Sequence, residues 1–510
     1  MAYLYGAAVQ GIQEFIFQTN KLREIVGASE LVEEICTSKF ARLLGKKGKY
    51  HDLKKQLEED PNAIVHAAGN IKYIFKKEED CEKMVEYFPR EITIFAPGVT
   101  ISQAVVKYNE GEFEKAVMAL ESKLRTQRNK PMRYPMLGLM GIERSRQTGL
   151  PVSYIKGNQH LDAATFAKLY YEKEGESYAN RTTKKLCLKA FGKENIKEEE
   201  IPFEVSQITE KNDWIAIIHA DGNGLGQIVQ KIGKDAVKFK KFSEKLDKAT
   251  TQAAVNAFKE VVEKESQGII PMRPIVLGGD DHTVICRADL AIPYVKSFIN
   301  QFEKQTKEEL GDTLTEENIF NGENKLTACA GIAFIKSSFP FYYGYELAEA
   351  LCSRAKADAK DGLKDRELPA SCIMFHKVQD SFVENYSDIV ARELKPQDDI
   401  GLEFGPYYLS RKEKRWTIDE LLENIKVFDG SIGNAIKSGL RNWLSLLHSN
   451  VGQAKQYMER LKDVSGEKEY LEKIAGGNFK REAITVYPVY DMLAIYTIQT
   501  QETRDKEEQK

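Results

Sequence analysis

The chain has 510 residues, of which 42% are hydrophobic and 30% charged. That composition supports large packed cores, excludes wholesale disorder, and at about 150 residues per domain suggests roughly three domains. Lys and Arg total 74 against 77 Asp and Glu, a formal charge of −3, so nucleic acid is not gripped through bulk positive charge and any basic groove must be local.

The N-terminal Tyr3–Val9 reads as a strand, followed by QGIQEF. Ala63–His66 and Lys72–Phe75 flank AAGNI as a hairpin. The stretch from Met132 to Lys211, with TGLPV and the charged run KENIKEEE, reads as a linker or small inserted domain. Trp214–Ala220 (WIAIIHA) is a nearly continuous apolar run, the mark of a buried strand, and DGNGLG after it is turn chemistry. One long helix is expected next, with Phe242, Leu246, Ala249, Ala253, Ala257 and Val261 at spacings of three and four. Pro274–Leu277 and Thr283–Cys286 form a hairpin around GGDDH. A helix over 290–310, a strand over 326–334, a helix over 345–360 and a strand over 371–375 complete the segment. The order β-α-β-β-α-β, plus one helix and one strand, is the ferredoxin-like or palm plan.

The first third reads as a worn copy of this unit. Asp221 and Asp280 lie 59 positions apart, as do Gln10 and Gly69. Gln10 then stands where the second copy has Asp221, and Gly69 and Asn70 stand for Asp280 and Asp281. Beyond residue 380 the chain reads as helices over 418–428, 435–449 and 453–464, ending in the solvated tail TRDKEEQK. The expected fold class is α+β: a degenerate palm over 1–131, a linker or insert over 132–211, a catalytic palm over 212–380, a helical domain over 381–500 and a disordered tail over 501–510.

No run approaches about 18 apolar residues, so no membrane span is expected, and MAYLYGAAVQGIQEF lacks the basic start and apolar run of a signal peptide. Seven scattered cysteines without a C-x-x-C pair argue against a structural zinc site and fit a reducing cytoplasm.

The chemistry concentrates at Asp221, Asp280 and Asp281. Neighbouring strands of a palm bring a strand end and a hairpin turn to one sheet edge, so the three carboxylates should converge. Crowded carboxylates repel and need a cation; hard oxygen ligands suit Mg²⁺ or Mn²⁺, and two such ions can drive an in-line displacement at phosphorus. Gly222, Gly224 and Gly226, with Asn223 and Leu225 in the same turn, let backbone N–H groups approach an anion at the start of the next helix. Gly278 and Gly279 leave room for a nucleotide, while Lys356, with Arg354 and Lys360, could neutralise a triphosphate. DGNG and GGDD are each common turns when alone; their joint placement carries the reading. His219 and His282 read as satisfied strand histidines. His51–Asp52 is a lone HD pair without the further ligands a phosphohydrolase needs, and no G-x-S-x-G nucleophile elbow is present.

HADGNGLG, VLGGDDHTVIC and LTACAGIAF followed by SSFPFYYGYELAEALCSRAKADAK resemble the second palm domain of the large subunit of type III CRISPR effector complexes. GIQEFIFQTNKLREIVGASELVEE resembles that subunit's degenerate first palm. A wider kinship with GGDEF-type nucleotide cyclases is visible in the GGDD hairpin and in AEALCSRAK. The resemblance implies a cyclase that joins ATP into a cyclic oligoadenylate messenger in antiviral defence. It implies that Asp221 and Asp280 hold the two metals with Asp281 assisting, that Lys356 contacts phosphates, and that the first palm seats an acceptor nucleotide near Asn20, Lys21 and Ser29. Implied partners are ATP and the small helical and backbone subunits of a type III complex with guide and target RNA. The chain departs from the family in beginning directly at the first palm, without an HD nuclease domain, and in lacking cysteines in GIERSRQTGLPVSY, so no zinc is expected there. A homodimer, a catalytically silent scaffold binding RNA and partner subunits, and a cyclase with a different product are the competing readings.

Overall fold

The computed structural model describes residues 1–507 apart from 68, 110, 130–140, 174–175, 182–183, 194–195, 210–212, 234, 265–267, 380–384, 414, 431–432 and 482. The expected boundaries at 131/132, 211/212 and 380/381 lie outside the described residues.

Two sheets share one plan. The first contains β1 (Ala2–Gln10), β2 (Ala63–Ala67), β3 (Asn70–Phe75) and β4 (Thr100–Tyr108) in the order β2-β3-β1-β4. Its main helices are α1 (Leu22–Glu34), α2 (Glu78–Phe95) and α3 (Phe113–Arg128). Two short hairpins and α4 (Lys184–Phe191) lead to the second sheet. That sheet holds β5 (Trp214–Gly222), β6 (Met272–Gly278), β7 (Asp281–Arg287), β8 (Ala328–Lys336), β9 (Cys372–Lys377) and β10 (Tyr407–Tyr408), in the order β6-β7-β5-β8-β9-β10. Its first four positions repeat the order of the first sheet.

The single long helix expected after DGNGLG is two: α5 (Leu225–Ile232) and α6 (Ala236–Ala257). Asp235 restarts the helix, its carboxylate accepting from Val237 N at 2.8 Å and Lys238 N at 3.2 Å. α7 (Ala291–Glu316) and α8 (Phe341–Lys360) cover opposite faces of the second sheet. His282 and its neighbour across the ladder, Ala220, face α7, where Tyr294 bonds His282; His219 and Thr283, one residue along, face Tyr345 of α8. Burial on both faces is why β5 reads as an unbroken apolar run rather than an alternating one.

The ladders refine the register of the repeat. The two hairpins close alike, Ala67 on Asn70 and Gly278 on Asp281, each with a bulge at the same place in its first strand, so Gly69 and Asn70 stand in the turn where the second copy has Asp280 and Asp281. The first strand is offset instead. Asn70 pairs with Ala8, whereas His282 pairs with Ala220, which sets Asp281 level with Asp221. By that register Ala8, not Gln10, lies level with Asp221.

The C-terminal part is not wholly helical. It contains α9 (Ile418–Ile425), α10 (Gly433–Ser449), α11 (Val451–Ser465), α12 (Lys468–Ala475) and α13 (Val489–Glu507). A small sheet of Ile400–Gly401, Ile484–Val486 and Lys480–Arg481 joins them, and β10 pairs with β9 of the palm. Tyr407 and Tyr408 are held there by hydrogen bonds, Tyr407 donating to buried Asp491 at 2.7 Å and Tyr408 to half-buried Asp358 at 2.6 Å. The tail expected to be disordered from 501 continues α13 to Glu507, since its Glu, Lys and Arg are good helix formers; residues 508–510 lie outside the described residues. One continuous apolar core runs from Tyr5 through β5 to Ile498. No helix among the described residues is long and apolar enough to cross a membrane.

Candidate active site

β5 ends at Asp221–Gly222, and the β6–β7 hairpin brings Gly279–Asp280 beside it. Gly278 pairs with Asp281, leaving a two-residue connection with positive φ, 63°, at Gly279. A first central residue in that region is the type II′ pattern, which glycine fits without strain. The tip is bolted from behind. Thr250 of α6 donates to Gly279 O at 2.6 Å, and Gly279 N donates to Asp247 at 3.4 Å. Lys189 of α4 spans Asp247 and Leu277 O, both at 2.9 Å. At Gly222 a Cβ would lie 2.9 Å from the Cβ of Asp280 and 2.8 Å from Leu225, so only glycine lets the hairpin close on β5.

Asp221 and Asp280 are hydrogen-bonded to each other, so one carboxyl holds a proton. Burial raises Asp280 well above the usual carboxylate range, and the bond to Asp221 and its negative charge add to the shift. Burial also pushes Asp221 up, but the Asp280 bond and the Lys356 ammonium outweigh it and hold Asp221 low. Asp281 is pushed up to about 7 by burial, then by the charges of Asp221 and Glu349. Its Oδ1 is buried without a hydrogen bond, 3.4 Å from Nδ1 of His219, which contacts Thr283 at 3.1 Å instead.

The three acids therefore share an edge but do not converge on one point. Among the described residues no three His, Cys, Asp or Glu side chains gather as a ready cage. Asp221 and Asp280 touch, while Asp281, the first residue of β7, is turned toward His219. The donor set nonetheless fits a divalent cation. Two carboxylates in contact need a shared proton or a metal; Asp281 keeps an oxygen without a partner; and the ammonium of Lys356 already rests on two hard oxygens, Asp221 Oδ2 and, at 2.8 Å, Gly222 O.

The other expected site residues divide. Lys356 is at the site, as the counterion of Asp221. Arg354, two residues away and so about 200° round the helix, forks onto Glu403 at 3.1 and 3.0 Å and leaves the site. Lys360 is exposed one turn beyond Lys356. Asn223 is buried, its backbone N donating to Thr327 O at 2.8 Å and its amide to Thr327 Oγ1 at 3.1 Å, so it braces the turn instead of facing a ligand. Gly224, with φ 80°, caps α5, and a side chain there would strike Phe320. Leu225 packs against Gly222. Gly278 lies behind the hairpin tip near Asp247.

Asn20, Lys21 and Ser29 do not form an open acceptor loop, because most of that segment is α1. Asn20 Oδ1 accepts from Phe341 N at 3.1 Å, satisfying the first turn of α8, and Ser29 donates to Ile275 O of β6. Lys21 precedes α1 and pairs with Glu24 at 3.4 Å. His282 is a satisfied core residue, contacting Tyr294 OH at 2.7 Å and Val276 O at 3.2 Å, and burial lowers it to about 4.

Two features escaped the sequence reading. Glu349 stands seven residues before Lys356 on α8, close enough to raise Asp281, and that two-turn spacing was its only signal. A cavity of about 980 Å³ opens between the sheets, bounded by Gln10, Gln13, Tyr50 and Lys54 on one side and by Gly278 and Asp281 on the other.

Residues 214–364 match the family model described as Cas10/Cmr2, second palm domain. Among solved structures the chain resembles a chain of the Csm1–Csm4 cassette in complex with pppApA, at 12% identity and TM-score 0.55. The same cassette in complex with cA3 gives 13% and 0.54, and the Csm1–Csm4 subcomplex in the type III-A CRISPR-Csm interference complex gives 12% and 0.54. Each alignment covers 98% of this chain and 69% of the other. No curated protein matches. Residues 214–364, the stretch that matches this model, hold Asp221, Asp280, Asp281 and Lys356. Over the rest of the chain the likeness to these structures is one of fold.

Proposed function

We propose that the acidic edge of the second palm is a metal-dependent nucleotidyltransferase site that makes a cyclic oligoadenylate from ATP in CRISPR-linked defence. The observation that carries this is the Asp221–Asp280 contact, a half-buried carboxyl pair at the sheet edge beside the unbonded oxygen of Asp281. The similar cassettes, in complex with pppApA and with cA3, support the nucleotide class. Asp221 and Asp280 would hold Mg²⁺ or Mn²⁺, with Asp281 assisting, and the ions would supply charge neutralisation and activation of a ribose hydroxyl for attack on an α-phosphate with loss of pyrophosphate.

The chain's own residues do the positioning. Asp280 gives up its shared proton on loading. Lys356 moves from Asp221 to a phosphate oxygen, which keeps its charge neutralised throughout. Gly222 and Gly279 hold the strand end and hairpin tip at contact distance. The cavity between the sheets seats the second nucleotide, with Gln10, Gln13, Tyr50, Lys54 and Lys189 joining Ser29 in place of Asn20 and Lys21. Positioning and electrostatics supply the catalysis, with no covalent intermediate.

Turnover of α-labelled ATP with Mg²⁺ or Mn²⁺ tests this. The double change Asp280→Ala, Asp281→Ala should lower the rate on the order of 10³-fold or more; an unchanged rate removes the hairpin from the mechanism. Mass spectrometry of the product from an equal mixture of the four nucleoside triphosphates should give adenylate rings, and a guanine-containing product or a cyclic dinucleotide would correct the base or ring size. The likeness to chains from Csm1–Csm4 structures supports a second subunit as a partner; guide and target RNA follow from the resemblance of the sequence motifs alone. The Lys356–Asp221 ion pair is what favours the silent-scaffold reading. Calorimetry separates the two, since only the enzyme gains an ATP site when divalent metal is added.

A further inference from the structure

At the opposite end of the second sheet from Asp221, a second cavity of about 850 Å³ opens between the palm and the C-terminal helices. Trp214 is the first residue of β5, and Lys336 and Lys377 are the last of β8 and β9. Arg441 and His448 of α10 complete its rim. Among the described residues no Asp or Glu lines it.

The cations are arranged rather than scattered. Lys336 and Lys377 both stand over the indole of Trp214, 4.5 and 4.4 Å from its centre. The Lys377 ammonium also donates to Thr497 Oγ1 at 2.6 Å. The ammonium of Lys336 and the guanidinium of Arg441 have no hydrogen bond or ion pair among the described residues. Burial, then the charges of Lys336 and Arg441, push Lys377 down to about 8. A solvated basic rim needs neither a concavity nor an indole that fixes two ammoniums together. Like charges gathered in a recess without a carboxylate are relieved by an anion, and guanidinium beside ammonium is the usual chemistry of phosphate capture. The volume is that of a small-molecule site, and the indole offers an apolar wall beside the charges.

We propose that this cavity binds a phosphate-bearing ligand of nucleotide size, held by Lys336, Lys377 and Arg441 on the Trp214 platform. The phosphate comes from a free nucleotide or from an RNA strand. The site is independent of the acidic edge and of the reaction assigned there.

Calorimetry in EDTA tests it, because without divalent metal the palm acids repel a polyphosphate. Pyrophosphate and ATP should each bind wild-type protein at one site. The double change Lys336→Gln, Arg441→Gln should weaken binding at least tenfold, and Arg441→Gln, at an exposed position, should do so in part with the fold intact. Lys336→Arg with Arg441→Lys should retain binding. Wild-type protein that binds neither anion, or a Gln variant that binds as tightly as wild type, overturns the proposal. A single-stranded RNA that displaces pyrophosphate identifies the strand as the source of the phosphate; RNA that leaves it in place identifies a free nucleotide.

Discussion

Protonated Asp280 is a near isostere of asparagine. In metal-free protein an asparagine amide at that position would donate to Asp221 as the carboxyl does now, without having to hold a proton. Asp280→Asn should therefore raise the metal-free melting midpoint at pH 8 by about 2 °C while abolishing metal-dependent turnover; a lower midpoint would mean that the pair is not a shared-proton pair. Asp281 gives the pH dependence. Its folded value of about 7 lies above the ordinary carboxylate range, so between pH 4 and 7 the folded state keeps a proton that the unfolded chain has lost. Stability then falls as pH rises through that window and levels off above it. Divalent metal should stabilise the protein more at pH 8 than at pH 5, which a thermal-shift titration with Mn²⁺ reads directly; equal shifts at the two values would contradict it. The three acids were legible because Asp and Gly cluster in two short motifs, and Lys356 by its place in AEALCSRAK on the helix after LTACAGIAF. Arg354 was misplaced although its helical phase, opposite Lys356, was already in the sequence. Asn223 was misplaced because a turn motif does not say which members brace it.

The hairpin is the element on which the site depends. Gly222→Ala would place a methyl group 2.9 Å from Asp280 Cβ and 2.8 Å from Leu225, forcing the tip away from β5. The cost should be about 1–3 kcal/mol, with turnover lost more completely than stability, measured by rate and by melting on the same variant. The strands around GGDDH fell within two residues of their observed ends, because a tight glycine turn between apolar runs marks both sides. The bolts behind it were not legible. Lys189 and Asp247 lie 58 positions apart and read individually as surface charges. The break between α5 and α6 was missed because apolar periodicity after Phe242 outweighed the Gly233 to Asp235 interruption.

Over the whole molecule, the first palm acts on the second through a few cross-sheet contacts. Phe17 stacks on Tyr345 with ring centres 4.3 Å apart, and Asn20 supplies the acceptor for the first turn of α8, whose far end carries Lys356. Asn20→Ala should cost about 1 kcal/mol, and through the helix that presents Lys356 it should raise KM for ATP more than it lowers kcat. The repeat was visible as equal spacing, yet spacing alone could not show that Ala8, not Gln10, lies level with Asp221; only the ladders do. The C-terminal sheet was hidden because strands of two or three residues carry no periodicity. The most direct measurement is Mn²⁺ binding followed by electron paramagnetic resonance, with and without a non-hydrolysable ATP analogue. Wild-type protein should bind the ion, more tightly with the analogue, and the Asp280→Asn, Asp281→Asn protein should not; equal binding by the two proteins would contradict the account.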